Sequence, residues 1–191
     1  MSFLEKIVGA LSPQTYEKIR AYLEDKRDNE ARVQRAYEIL REKGVKTRYE
    51  AWLGDEDWRG NQREYSITPY FGEVFFDECS SRLCIVPVRY YRSAGGDEWH
   101  ELYLVDLREK SAKTIAESGQ RDIHYQGHLT YKPFAIRKNS SEEKVSVAFS
   151  TNLRPHIRDI FSHDFWYFLR VNRPVFHKEK TIVEVKLPLK G

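Results

Sequence analysis

Apolar runs, cysteine and methionine are all scarce in this sequence. Its 191 residues include 2 cysteines and 1 methionine. No apolar run approaches the ~20 residues that a membrane-spanning helix needs. Residues 1–11 are too short and too polar to act as a secretory signal peptide. We therefore expect a soluble, cytoplasmic protein that has no membrane partner.

The two cysteines, Cys79 and Cys84, are too few for a disulfide framework. Their spacing, without companion ligands, also argues against a zinc site. Either the two thiols face each other across a hairpin or, as we expect, both are reduced and partly buried.

Four motifs that mark common enzyme classes are absent. The chain has no Gly-x-Gly-x-x-Gly fingerprint, no Walker-type loop, no Gly-x-Ser-x-Gly elbow and no His-Glu-x-x-His. These absences argue against dinucleotide redox chemistry, ATP hydrolysis and α/β-hydrolase chemistry. We predict that the protein uses no cofactor.

Acidic and basic residues are unevenly distributed along the chain. Residues 1–120 carry 19 basic and 22 acidic side chains, whereas residues 121–191 carry 13 basic and 7 acidic ones. The net charge therefore changes from −3 in the first part to +6 in the second. This basic, aromatic C-terminal third favours an anionic partner, although a solvated surface with uneven signs explains the same numbers.

The first 44 residues have helical spacing. Ser12-Pro13 predicts a helix start, because proline lacks only an N–H that the first turn leaves unbonded. Gly44 predicts the end of helical structure. Glu24 to Arg32 are almost all polar, so we expect two helices that meet near Asp28-Asn29. We treat residues 1–44 as a helical N-terminal segment that folds as one unit with the rest.

The remainder, residues 45–191, is rich in β-branched, aromatic and turn-forming residues. Because no helices separate its strand-like segments, we predict a long, curved antiparallel sheet, either barrel-like or open. Alternation around His100 is only partial, so we expect its strand to be covered on both faces. Nine segments have strand character: Val45–Leu53, Arg63–Tyr70, Glu73–Phe76, Leu83–Tyr91, Trp99–Leu107, Ala112–Ala116, Ile123–Leu129, Phe134–Arg137 and Val145–Phe149.

One helix and one strand are predicted after this sheet. The helix begins near Asn152 or Pro155, ends near Leu169 and has a broad apolar face. The final strand covers Thr181–Leu187, whose side chains alternate. The predicted fold class is therefore α+β: N-terminal helices, a long antiparallel sheet, one late helix and a final strand.

Residues 154–178 contain the densest group of candidate functional side chains. In the predicted helix His156 and His163 lie seven residues apart and share a face, so we predict both as catalytic proton donors and acceptors. Guanidinium groups bind phosphate in a bidentate manner, and an indole ring stacks on bases. The predicted ligand-binding residues of this segment are Arg154, Arg158, Arg170, Arg173 and Trp166.

A structural interpretation of the same segment stays open. Trp166 then packs in the core, the arginines pair with Asp159 and Asp164, and the histidines lie on the surface. The same aspartates and histidines are metal-ligand types, but the other ligands of such a site have no counterpart in a strand-rich chain. We therefore predict no metal.

A second candidate group lies in residues 121–131. On a continuous strand His124 and His128 project from one face together with Gln126 and Thr130. We predict that the two histidines line a ligand pocket inside the curved sheet. A bulge at Gly127 would break this register, and a solvent-exposed polar face explains the pattern equally well.

Three functions are consistent with these features. The first is binding of an anionic ligand or partner, with a nucleotide or RNA as the first candidate. The second is a phosphodiesterase or ribonuclease that depends on histidine and arginine. The third is a protein-interaction module, such as an inhibitor or adaptor, with the charged helix at residues 24–43 as its docking surface. The sequence leaves open whether the chain is an enzyme and what its oligomeric state is.

Overall fold

The computed structural model describes residues 13–57, 59–77, 80–93, 97–119, 121–122, 128–139, 144–154 and 179–189. In this part of the chain one helix, α1 (Pro13–Glu42), precedes all of the strands. The strands are β1 (Arg48–Glu56), β2 (Gln62–Phe71), β3 (Phe75–Asp77), β4 (Ser80–Arg92), β5 (Asp97–Asp106), β6 (Ser111–Glu117), β7 (Arg121–Asp122), β8 (His128–Asn139), β9 (Lys144–Arg154) and β10 (Glu179–Lys186). No helix of the described residues is long and apolar enough to cross a membrane.

The helix α1 is continuous, so the predicted break near Asp28-Asn29 is wrong. The polar stretch from Glu24 to Arg32 contains neither glycine nor proline and consists largely of Glu, Lys, Arg and Ala, which are good helix formers. Just before it, Arg20 Nε lies 3.1 Å from Glu24 Oε1, one helical turn away. The predicted start at Pro13 is confirmed.

The chain divides into two compact units, Met1–Arg35 and Ala36–Gly191. In the first unit every described side chain from Gln14 to Ala31 is exposed. The exposed residues include a stripe of large apolar side chains on one side of α1, namely Tyr16, Ile19, Tyr22 and Leu23.

In the second unit the last helical residue of α1, Glu42, is followed at position 44 by the glycine that was predicted to end the helix. Gly44 has a positive φ of 95°, which the missing Cβ permits. Its N–H donates to the carbonyl of Arg41 at 3.1 Å, and the N–H of Val45 donates to the carbonyl of Leu40 at 2.9 Å. This is a Schellman motif, and it brings Val45 into the core directly after the helix.

The strands form two antiparallel sheets in the described residues, whereas the sequence predicts one long sheet. The larger sheet has the order β1-β2-β4-β5-β6, with β3 paired to β4 and β7 paired to β5. It curls into a half-barrel, and bulges in its ladders increase the local twist. The smaller sheet has the order β10-β9-β8, so β9 is its central strand and pairs with both β8 and β10.

Two apolar clusters cover opposite faces of the larger sheet. One contains Ile39 and Leu40 from the end of α1 together with Val86 of β4. The other contains Ile85 of β4 together with Val147 of β9 in the smaller sheet. Successive strand residues point to opposite faces, so β4 contributes to both clusters. Both faces of β5 are also covered, as predicted: Leu102 and Leu104 are buried in one cluster, and Val105 is buried in the other beside the half-buried Trp99 and Tyr103.

The described residues do not contain the predicted late helix. β9 continues through Arg154 and includes Asn152, so a helix cannot begin at Asn152. In β9 the alternating Val145, Val147 and Phe149 enter the core, which favours strand pairing. Residues 155–178 lie outside the described part. The predicted final strand is confirmed as β10.

Candidate functional site

An open cavity of about 810 Å³ lies between the two sheets, in the second unit. Its first wall consists of residues on β2, β3, β4 and β5 and of the connection between β2 and β3. Its second wall consists of residues on β8 and β9. The volume is within the range of about 300–1,000 Å³ that is typical of small-molecule sites.

On the first wall a ring, a guanidinium and an imidazole form a row. Tyr70 of β2 pairs with Arg89 of β4, and Arg89 pairs with His100 of β5. Residues directly opposite each other in antiparallel strands have Cβ atoms about 4.5–5.5 Å apart on one face. The guanidinium carbon of Arg89 lies 5.1 Å from the ring centroid of Tyr70, a cation–π distance. This row is therefore set by strand register.

The second wall presents a cation, a ring and two small polar groups. Lys132 and Phe134 of β8 are exposed, and Thr130 of β8 pairs with Asn152 of β9. The ladder shifts register beside Pro133, which lacks the N–H that a regular ladder needs. The described residues of this wall therefore include a lysine, a threonine, an asparagine and two aromatic residues.

An edge-to-face contact fixes β8 to the core behind this wall. The ring of Tyr131 meets the ring of Phe149 at 87°, with centroids 5.5 Å apart. Phe149 is buried in the cluster between the sheets. This contact holds the polar residues of β8 at the cavity.

His100 and Glu98 form a buried pair beside the cavity. They are 6% and 1% exposed, respectively, and His100 Nε2 lies 3.2 Å from Glu98 Oε1. The backbone of His100 is fixed to Ser118: its N–H donates to Ser118 Oγ at 2.8 Å, and its carbonyl accepts the Ser118 N–H at 2.9 Å. In the described part of the chain, Nδ1 of His100 makes no hydrogen bond. This nitrogen remains available to a molecule in the cavity.

The connection between β2 and β3 passes very close to β4 at Gly72. Its N–H donates to the carbonyl of Pro87 at 2.7 Å, and its own carbonyl accepts a hydrogen bond from Tyr37 Oη at 3.1 Å. A Cβ at this position would lie 3.2 Å from the Pro87 carbonyl oxygen and 3.3 Å from its Cβ. Glycine therefore permits this close approach at the cavity rim.

The described lining carries more positive than negative side chains. Arg89 comes from the larger sheet and Lys132 from the smaller one. Glu73 is the acidic residue among the described lining residues. Within the residues that the structure covers, neither cation forms an ion pair. Two cations and one carboxylate among the described lining residues give that part of the lining a net positive charge.

The opposite face of the same strands carries a buried hydroxyl network. Tyr103 Oη donates to Glu101 Oε2 and lies 3.1 Å from Tyr90 Oη. Burial, followed by the hydrogen bond to Glu101, raises the pKa of Tyr103 to about 12. Burial and the hydrogen bond to Tyr103 also raise the pKa of Tyr90. Both phenols stay neutral near pH 7 and link β4 to β5 behind the first wall.

The carboxylate of Asp106 pairs with Arg82 of β4 and also holds the turn between β5 and β6. Asp106 is fully buried and lies 2.6 Å from Arg82 Nη2. Its Oδ1 also accepts the N–H groups of Arg108 and Glu109. Burial alone would raise the pKa of Asp106, but the hydrogen bonds from Arg82 and the turn hold it below its ordinary value.

The structure brings two of the predicted ligand-binding residues together. His128, at the start of β8, pairs with Arg154, at the end of β9. They are two residues along the same strands from Thr130 and Asn152, which line the cavity. The other predicted site residues lie outside the described part: His124, His156, Arg158, His163, Trp166, Arg170 and Arg173. Cys79 also lies outside it, and Cys84 is fully buried in β4.

Of the described cavity residues, sequence reasoning named Thr130 on the face that it shares with His128, and it missed Arg89, His100 and Lys132. One signal was present: Glu98 and His100 occupy the same alternating register as Leu102 and Leu104, which face the core. Two ionisable side chains on a core-facing register mark a place where burial needs an explanation. Arg89 and Lys132 carried no comparable local signal.

Metal ligands are a separate question. Among the described residues, no group of three or more His, Cys, Asp or Glu side chains is arranged to hold a metal ion.

Comparison of the chain with protein-family models, with curated proteins and with solved structures finds no match to any of them.

Proposed function

We propose that this protein binds an anionic ligand that carries an aromatic ring, with a nucleotide as the first candidate, in the cavity between its sheets. The observation that carries this proposal is the pair Arg89 and Lys132, two cations from different sheets that line one aromatic cavity without carboxylate partners in the described residues. Phosphate groups satisfy such cations through charge-assisted hydrogen bonds.

Two aromatic rings of the cavity would bind the planar ring of the ligand by stacking. Tyr70 and Phe134 are both about half exposed, at 49% and 46%, and lie on different walls. A planar base stacks on such rings without a requirement for its identity, and each stacked base contributes about 1–3 kcal/mol. Recognition therefore requires a ring and an anion in the same ligand.

This placement differs from the one that the sequence favours. The basic, aromatic C-terminal third contributes Lys132 and Phe134, but Tyr70, Arg89 and His100 belong to the acidic first part of the chain. The ligand would therefore bind where the two parts meet.

Equilibrium binding to a matched panel tests the proposal. The panel contains the four ribonucleoside 5′-monophosphates, the corresponding nucleosides and inorganic phosphate, each measured by calorimetry at low and high salt. We expect the monophosphates to bind more tightly than either fragment and binding to weaken with salt, because the exposed cations are screened. Equal affinity for nucleosides and nucleotides, or no binding of any panel member, would refute the proposal.

Charge-removal variants locate the ligand. A hydrogen bond to a charged group contributes about 1.5–3 kcal/mol, so Arg89→Ala should weaken monophosphate binding about 10- to 150-fold. The matched control is Arg137→Ala, which removes an exposed arginine of β8 outside the described cavity lining. An equal effect of both variants would place the ligand elsewhere.

A further inference from the structure

We propose that His100 is the acid–base residue of a phosphodiester-cleaving site in this cavity, and that its substrate is a ribonucleotide linkage whose own 2′-hydroxyl is the nucleophile. The inference rests on the proposed function, since it assigns a reaction to the same anion-binding cavity. It replaces the histidines that the sequence favours, His156 and His163, with one that the sequence did not single out.

The His100 ring is buried at the cavity with one of its nitrogens bound to a carboxylate. The side chain is more than nine-tenths buried, it lines the cavity, and Nε2 is engaged by Glu98. Its Nδ1 has no hydrogen-bond partner in the described residues. A ring nitrogen of this kind can accept a hydrogen bond from a ligand hydroxyl in the cavity that His100 lines.

Glu98 determines which nitrogen of His100 can accept a proton. A carboxylate on one imidazole nitrogen fixes the tautomer, so that the other nitrogen is the proton acceptor. The same carboxylate stabilises the imidazolium that forms when a proton is taken up. Glu98 is thus a positioning residue that acts through His100, and the hydrogen bonds to Ser118 hold the backbone in place.

The neighbour of His100 across the strand pair is Arg89, its direct register partner on the same face. The guanidinium carbon of Arg89 lies 5.1 Å from the Tyr70 ring centroid, and both residues line the same cavity as His100. Lys132 supplies a second positive charge from the other sheet. Cations at this place stabilise the charge that develops on the phosphate oxygens as the attacking oxygen bonds to phosphorus.

The reaction balances with these groups alone. His100 takes the proton of the 2′-hydroxyl, O2′ bonds to phosphorus, and the bond from phosphorus to O5′ breaks. The proton on His100 then passes to the departing O5′. The products are a 2′,3′-cyclic phosphate and a free 5′-hydroxyl, and neither water nor an oxidant is consumed.

The test uses a ribodinucleotide and its 2′-deoxy counterpart with the full-length protein. We expect the ribodinucleotide to yield the cyclic phosphate, while the deoxy compound binds and stays intact because it lacks the nucleophile. His100→Gln should lower the rate about 100-fold or more, the usual contribution of general acid–base catalysis, and should keep binding. Glu98→Gln should lower kcat and change its pH dependence without changing KM, which a merely structural role would not do.

The outcomes separate this inference from the proposed function. Binding of both dinucleotides without cleavage overturns the catalytic role and leaves the binding function in place. Cleavage that persists in His100→Gln, or that acts equally on the deoxy compound, overturns the role of His100. Absence of both binding and cleavage overturns both proposals. The deoxy comparison uses the unaltered protein, so an unfolded variant cannot obscure the result.

Discussion

Replacing Asp106 with asparagine removes one negative charge from the buried end of β5 and changes the side chain's shape very little. In the native protein Asp106 Oδ2 lies 2.8 Å from Arg82 Nε and 2.6 Å from Arg82 Nη2. Its Oδ1 accepts the N–H groups of Arg108 and Glu109 at 3.0 and 3.1 Å. An amide oxygen still accepts both N–H groups, but the amide NH2 group then faces the Arg82 guanidinium, donor against donor, so the loss falls on the contacts with Arg82.

The magnitude follows from the burial of the two partners. A hydrogen bond to a charged group contributes about 1.5–3 kcal/mol, and breaking a fully buried ion pair costs about 3–5 kcal/mol. The Arg82 side chain is 31% exposed, so water partly solvates it once the partner is removed. We therefore expect Asp106→Asn to lose about 3 kcal/mol, which lowers Tm by about 6–12 °C for a chain of this size.

The loss should depend on pH in a defined direction. The pKa of Asp106 is lower in the folded state than its ordinary value. Such a carboxyl group stabilises the fold above its unfolded pKa of about 3.9, and this contribution disappears as the pH falls through the folded value. The stability difference between the native protein and Asp106→Asn should therefore be full at neutral pH and shrink below about pH 4.

Urea unfolding followed by circular dichroism at pH 7 and at about pH 3 measures this difference. The matched control is Glu109→Gln: Glu109 lies 3.7 Å from the same guanidinium but is about half exposed, so its loss should stay below about 1 kcal/mol. If the two variants lose equal stability at pH 7, or if the loss in Asp106→Asn is the same at both pH values, the reasoning is refuted.

Two further predictions concern the cavity rim and the sheet behind it. Gly72→Ala should destabilise the protein by about 1–2 kcal/mol and weaken nucleotide binding, because the new Cβ crowds the Pro87 backbone; an unchanged urea midpoint and an unchanged Kd would contradict this. Tyr103 has its pKa raised to about 12, so its contribution to stability is complete below the unfolded value of about 10 and is lost as the pH rises towards 12. Stability should therefore fall less steeply between about pH 10 and 12 in Tyr103→Phe than in the native protein, and equal slopes in unfolding experiments would contradict the assignment.

Local chemistry predicts most of the individual strands. Residues 83–91 and 99–107 are expected as strands from their β-branched and aromatic content; the first range lies in β4, and all of the second except Leu107 lies in β5. The ends at Pro13 and Gly44 were also readable, because proline and glycine each impose a backbone requirement on a helix terminus. The residues that form turns and end helices impose their backbone requirements over only a few positions, so these features can be predicted from a single sequence.

The errors arise where tertiary context decides. The polar stretch from Glu24 to Arg32 was read as a helix break, yet polar residues of high helix propensity continue a helix without an apolar face. Asn152 was placed at the start of a helix, yet pairing with Thr130 draws it into β9. The division into two sheets follows from which strands pair, and periodicity within one segment carries no information on that choice.

The candidate site could not be assembled from the sequence for the same reason. Tyr70, Arg89 and His100 are far apart in the chain and become neighbours only through the registers of β2, β4 and β5. Lys132 joins them because the smaller sheet covers this face. The pairing of His128 with Arg154 brings two predicted ligand-binding residues near the cavity, although sequence reasoning had placed them in separate groups.

The most direct test of the binding site compares two double variants on ribonucleoside monophosphates. Arg89→Ala with Lys132→Ala removes both cavity cations, whereas Arg137→Ala with Lys138→Ala removes the same two residue types from exposed positions of β8 outside the described lining. We predict that the first pair abolishes measurable binding and that the second pair leaves Kd within about twofold of the native value, since distant exposed charges contribute little. Equal loss in both double variants, or native affinity in the first, would contradict a nucleotide site between the two sheets.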